Sequence, residues 1–92
     1  MEIEQLKEQL KEGTFYYHKC GLLVKSEVNL VLEINKDILN VNFTGGCVDV
    51  YMDKIEHIRR PENIIAEFKW CYRLRNEYDE CIGYIGKIEE II

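Results

Sequence analysis

Residues 27–52 read EVNLVLEINKDILNVNFTGGCVDVYM, and this stretch decides the fold. Val28, Leu30, Leu32 and Ile34 alternate with Asn29, Val31, Glu33 and Asn35, the period of a half-buried strand. Asn35, Lys36 and Asp37 make a tight turn. Leu39, Val41 and Phe43 alternate with Asn40 and Asn42, and Thr44-Gly45-Gly46 turns the chain again. Val48, Val50 and Met52 then alternate with Cys47, Asp49 and Tyr51. Three strands joined by short turns pair as neighbours, so an antiparallel meander is expected. Its inner face is expected to carry Leu30, Leu32, Val41, Phe43, Val48 and Val50, and its outer face Asn29, Glu33, Asn40, Asn42 and Asp49.

Upstream, Ile3, Leu6 and Leu10 form a narrow apolar stripe at helical spacing over residues 2–12, and Gly13 ends it. So short a helix needs a surface to pack on. Residues 14–24 are aromatic and β-branched, which predicts a strand interrupted near Gly21. Residues 53–60 fit either a helical turn or an irregular strand. Beyond Pro61 the spacing of Ile64, Phe68, Cys71, Tyr78, Ile82, Ile85 and Ile92 is close to a heptad seam, which Arg75 interrupts. It predicts one helix, or two with a break between Asn76 and Asp79. Gly83 and Gly86 weaken a continuous helix and favour the break.

The expected fold is therefore α+β, one domain over residues 1–92. It is a small antiparallel sheet, or partly open barrel, of four to five strands, with an N-terminal helix and one or two C-terminal helices. In strand lengths and in the run 48–58 the strand part resembles an SH3-like or Sm-like small barrel. That likeness is one of architecture and implies no activity.

Ninety-two residues with 47% hydrophobic and 32% charged side chains suit one globular domain. The N-terminus has no signal-peptide pattern and no apolar run approaches the roughly 20 residues of a membrane span, so a cytoplasmic protein without membrane contact is expected. In that compartment Cys20, Cys47, Cys71 and Cys81 stay reduced, as small hydrophobes. The net charge of -5 disfavours non-specific nucleic-acid binding. The charge is uneven: residues 54–75 carry Lys54, Arg59, Arg60, Lys69, Arg73 and Arg75 against Glu56, Glu62 and Glu67, between acidic ends. Such a middle suits an anion or an acidic partner.

Four candidate sites follow. His18, Cys20, Cys47 and His57 have the chemistry of a zinc site, but none of the short Cys-x-x-Cys spacing that pre-forms one. Cys47, beside the Gly45-Gly46 turn, is a nucleophile only if His18 or His57 folds close enough to act as base. Asp49 and Asp53 lie about 13 Å apart along a strand, too far to share a site. The group carried forward is Arg59, Arg60, Lys69, Trp70, Arg73 and Arg75. Here Arg59 and Arg60 precede an expected helix start, Lys69 and Arg73 share an expected helix face, and Trp70 stands off the seam, either as an interface anchor or as cover for a sheet edge within the monomer. No catalytic residue, metal or cofactor is assigned.

The function expected from these residues is a cytosolic protein-interaction or regulatory module of inhibitor type, by analogy with the small inhibitors of phages and mobile elements. It would contact an acidic partner through that group, and a homodimer through the C-terminal helix. The alternatives are a protein that sequesters a small anionic ligand such as a nucleotide, and a cysteine-dependent enzyme.

Overall fold

Leu6 and Leu10, one helical turn apart, are the buried stripe of α1 (Ile3–Lys11) in the computed structural model, which describes residues 2–89. The helix ends where expected. Gly13 donates its N–H to the Leu10 carbonyl (3.1 Å), and the Gly13 carbonyl accepts from Val28 N–H (3.1 Å), tying the helix exit to the sheet.

Seven antiparallel strands follow: β1 (Thr14–Lys19), β2 (Leu22–Asn35), β3 (Ile38–Phe43), β4 (Gly46–Tyr51), β5 (Glu56–Ile58), β6 (Phe68–Arg75) and β7 (Cys81–Ile88). Their order is β4-β3-β2-β1-β7-β6-β5. Strand β2 serves two partners in succession. Leu22–Glu27 pair with β1 across the Cys20-Gly21 turn, where both residues have positive φ, and from Val28 onward β2 pairs with β3. The sheet curls so that β4 comes against β6, and α1 packs along β2. Leu6 and Leu10 join Phe15, Val31, Leu39, Val41, Val50, Tyr72, Leu74 and Ile85 in one core.

The meander is present as β2, β3 and β4, with Val41 aligned between Val31 and Val48. Its inner face differs from the expected one on β2. A bulge between Val28 and Leu30 shifts the register by one residue. Val31 therefore turns inward at 1% exposure, while Leu30, Leu32 and Ile34 turn outward at 46, 45 and 58%. Val28, before the bulge, stays inward at 8% exposure, and the phase of the alternation inverts beyond it.

The expected C-terminal helices do not form. Residues 68–75 and 81–88 are strands, so the described residues are mostly sheet, with seven strands and one short helix in place of the expected α+β fold with C-terminal helices and a four- to five-stranded barrel; Ile92 of the expected seam lies outside the described residues. The sequence FKWCYRLR also alternates: Phe68, Trp70, Tyr72 and Leu74 against Lys69, Cys71, Arg73 and Arg75. Aromatic residues at that period favour a strand, and tertiary pairing outweighs the looser seven-residue pattern. Glycine is needed at position 86 because strands pass closely there: a Cβ would lie 2.8 Å from the Phe68 ring and 2.9 Å from the Trp70 carbonyl oxygen. The interruption expected at Asn76–Asp79 is a hairpin turn. The Asn76 side-chain oxygen accepts from the N–H of Tyr78 (2.9 Å) and of Glu80 (3.0 Å), and Asp79 has φ of 64°. Because β7 lies between β1 and β6, dimerisation through a C-terminal helix is ruled out with the helix itself.

Residues 59–67 are irregular and lie over the sheet face opposite the core, with Pro61 and Ile64 buried. Tyr16 and Phe68 meet edge-to-face on that side (5.7 Å). Among the described residues no helix is long and apolar enough to cross a membrane.

Candidate functional site

The period of β6 places Trp70 and Tyr72 on its inner face, ring centroids 5.7 Å apart. Directly across the ladder, His57 of β5 pairs with Tyr72 and sets its ring edge-on at 5.4 Å. The link from β4 to β5 turns tightly, with Lys54 N–H donating to the Tyr51 carbonyl (2.9 Å), and brings Met52 and Ile55 beside them. From the other side α1 contributes Leu6 and Gln9. The Tyr72 hydroxyl donates to Gln9 Oε1 at 2.6 Å and joins helix to sheet. Together with Lys69 these residues line a cleft of about 550 Å³. Its walls are aromatic and aliphatic, with Lys69 as the cationic group and the His57 imidazole as a further polar one, which is the make-up of a site for an apolar group with a polar neighbour.

Lys69 reaches this cleft because the β6–β7 ladder bulges. Phe68 pairs with Ile88 and Trp70 with Lys87, which leaves Lys69 outside the pairing and exposed. Trp70 is half-buried, and its six-membered ring reaches over Gly13, where a Cβ would stand 2.7 Å from Cη2. A larger hollow of about 750 Å³ lies next to the cleft, lined by Glu12, Glu27, Glu89, Lys69 and Lys87 among others. Its charges offset one another, with Lys87 and Glu12 at 3.9 Å, and it offers little apolar surface for specific binding.

The basic group expected to act together divides in two. Arg73 pairs with Glu56 (3.1 Å) and Glu62 (3.9 Å) and lies 6.0 Å from the Tyr84 ring centroid. Arg75 meets the same Glu56 (3.8 Å) and donates to the Asp79 carbonyl (3.0 Å). These two are engaged within the fold, on the face of β6 turned away from Trp70. Burial acts to lower the pKa of Arg73, but the Tyr84 hydroxyl and the Glu56 charge outweigh it and push it up. Arg59, Arg60 and Lys69 are exposed and make no ion pair among the described residues. Arg59 and Arg60 border a hollow of about 150 Å³ with Ala66, Glu67 and Phe68. No helix begins after Arg60, so the backbone N–H array expected there is absent. Lys69 and Arg73 lie along a strand, not on a helix face.

The other candidates are not assembled. His18 lies on β1, Cys20 in the turn after it, Cys47 on β4 and His57 on β5. Among the described residues no three His, Cys, Asp or Glu side chains are grouped to hold a metal. Asp49 accepts a hydrogen bond from Asn40 (2.9 Å) on the open outer face, and Asp53 follows β4 in the turn. The sequence reading missed Leu6, Gln9, Met52, Ile55 and Tyr72 as cleft residues. The alternation of FKWCYRLR was the available signal, since it already sets Trp70 and Tyr72 on one face.

Two local predictions follow. Tyr72→Phe removes the bond to Gln9 and is expected to lower stability by about 1 kcal/mol in urea denaturation. Burial pushes the Cys71 thiol up from 9.0 to about 12, whereas Cys20, Cys47 and Cys81 are exposed. At pH 8 iodoacetamide is expected to label those three quickly and Cys71 only on unfolding. With a folded pKa above the unfolded one, the contribution of Cys71 is intact below pH 9.0 and is lost as pH rises toward about 12.

Comparisons with protein-family models, with curated proteins and with solved structures each find no match to this chain.

Proposed function

We propose that the protein is a small cytoplasmic protein-interaction module, regulatory or inhibitory in kind, that docks an apolar side chain of a partner protein in the Trp70 cleft. The observation that carries this reading is the composition of the cleft. Half-buried Trp70, Met52 and Ile55 form an apolar hollow over the buried Leu6 and Tyr72, and Lys69, without an ion pair among the described residues, lines it too. Half-buried aromatics of this kind anchor partner segments. Lys69, Arg59 and Arg60, which make no ion pair among the described residues, favour an acidic partner. Three exposed free thiols suit a reducing compartment.

Selection of a random peptide library displayed on phage against the folded chain tests it. Enriched peptides are expected to carry one large apolar residue with Asp or Glu beside it. Trp70→Ala combined with Lys69→Glu is expected to weaken their binding at least tenfold. Equal binding to the double variant overturns the reading.

A second reading, capture of a small anion such as a nucleotide, is favoured by Lys69, without an ion pair among the described residues, beside the Trp70 indole. It requires thermal stabilisation by nucleotides or inorganic phosphate, and a flat melting profile across such a panel ends it.

A further inference from the structure

We propose that the partner enters this site as an extended segment, acidic and apolar in sequence, that adds to the sheet along the free edge of β5. This rests on the docking reading above and specifies its mode.

Among the described residues the sheet order ends at β5, whose backbone pairs with β6 on one side only. Strand N–H and C=O groups alternate sides, so those of alternate residues within 56–58 point away from β6 and have no ladder partner among the described residues, an open template for a further strand. Side chains in such a ladder stay in register across strands. His57 faces the cleft, so the residue of an added strand opposite His57 faces it too, beside Ile55 and Met52. Backbone hydrogen bonds would then give affinity and the cleft would select the side chain.

Charge determines what that strand carries. Arg59 and Arg60 continue directly from β5, and Lys69 lies on β6 beyond the last pair, Ile58 with Cys71. Three cations without ion pairs among the described residues thus follow the Ile58 end of the β5–β6 pair, Arg59 and Arg60 on the edge strand's own continuation, in a chain of net charge -5. The opposite edge, β4, has Asp49 and no cation in Gly46–Tyr51. An acidic segment is attracted to β5 and repelled from β4. A segment with acidic residues flanking one large apolar side chain matches both the cations and the cleft.

The test uses the ¹⁵N-labelled full chain and synthetic copies of the display-selected peptides. Binding is expected to slow amide exchange at least tenfold at those of residues 56–58 whose N–H points away from β6. Cross-strand Hα contacts between peptide and β5 should appear. Methylating peptide nitrogens one at a time should weaken binding tenfold at alternate positions only. Arg59→Glu with Arg60→Glu, both exposed, should weaken binding tenfold while leaving the free spectrum folded. If peptides bind and lose affinity in the Trp70/Lys69 variant, but β5 amides exchange unchanged, strand addition is overturned and docking stands. Protection of β4 amides overturns it equally. If the chain enriches no such peptide, or instead binds oligo-dT, both proposals fall.

Discussion

Leu10→Ala is expected to lower the unfolding free energy by about 2–5 kcal/mol, measured by urea denaturation. Leu10 is fully buried, at 0% exposure, and packs in the same core as Val31, Val41, Tyr72 and Ile85. The helix is nine residues long and its N-cap residue, Glu2, makes no side-chain capping hydrogen bond, so it has little stability of its own. Its stability comes from placing Leu6 and Leu10 inside the curled sheet, and truncating Leu10 leaves a cavity that surrounding strands cannot close. A domain of this length has total stability on the order of 5–15 kcal/mol, so the variant should be partly unfolded at physiological temperature. Gln5→Ala, on the exposed face of the same helix, should change stability by no more than about 0.5 kcal/mol. Equal effects at the two positions would mean that α1 is not part of the core.

Gly83→Ala is expected to cost at least about 3 kcal/mol, from backbone strain of about 1–3 kcal/mol together with overpacking of similar size. Gly83 has φ of 151°, a conformation that side-chain-bearing residues rarely adopt. A Cβ there would lie 2.7 Å from the Tyr16 carbonyl oxygen and 2.7 Å from the Phe15 ring. The Phe15 ring is itself held by Tyr17 (5.0 Å) and Phe43 (4.8 Å), and the carbonyl belongs to the neighbouring strand, so neither can give way cheaply. At Gly45, where φ is 103° and nothing stands within 4 Å of the added carbon, alanine meets strain alone and should cost less.

The meander was legible because strict alternation and two short turns leave one pairing. Its phase was not, because a bulge adds one residue to one strand and leaves no mark in the apolar pattern of that strand alone. Val31 and Leu30 are both apolar, and only the pairing with Val41 and Asn42 decides which of them is buried. Beyond Pro61 two periods compete in the same residues. Phe68 and Cys71 fit a helical seam, while Phe68, Trp70, Tyr72 and Leu74 fit a strand, and the choice depends on β7 and β5 being available to pair. Gly83 and Gly86, read as weak points of a helix, mark close approaches between strands. The candidate site was legible in part. Trp70 and Lys69 do meet in one cleft, but the acids that occupy Arg73 and Arg75 come from Glu56 on β5 and Glu62 in the covering segment. No sequence spacing reports that encounter.

The central claim is that residues 68–75 and 81–88 are paired strands, since only a strand at β6 turns Trp70 and Tyr72 together into the cleft. Backbone ¹³C secondary shifts, with cross-strand Hα contacts, test it most directly. The account predicts strand-type shifts across both segments and a close Hα–Hα contact between opposed residues such as Cys71 and Gly86. Helical shifts running through residues 62–88, with no contact between Cys71 and Gly86, would contradict it.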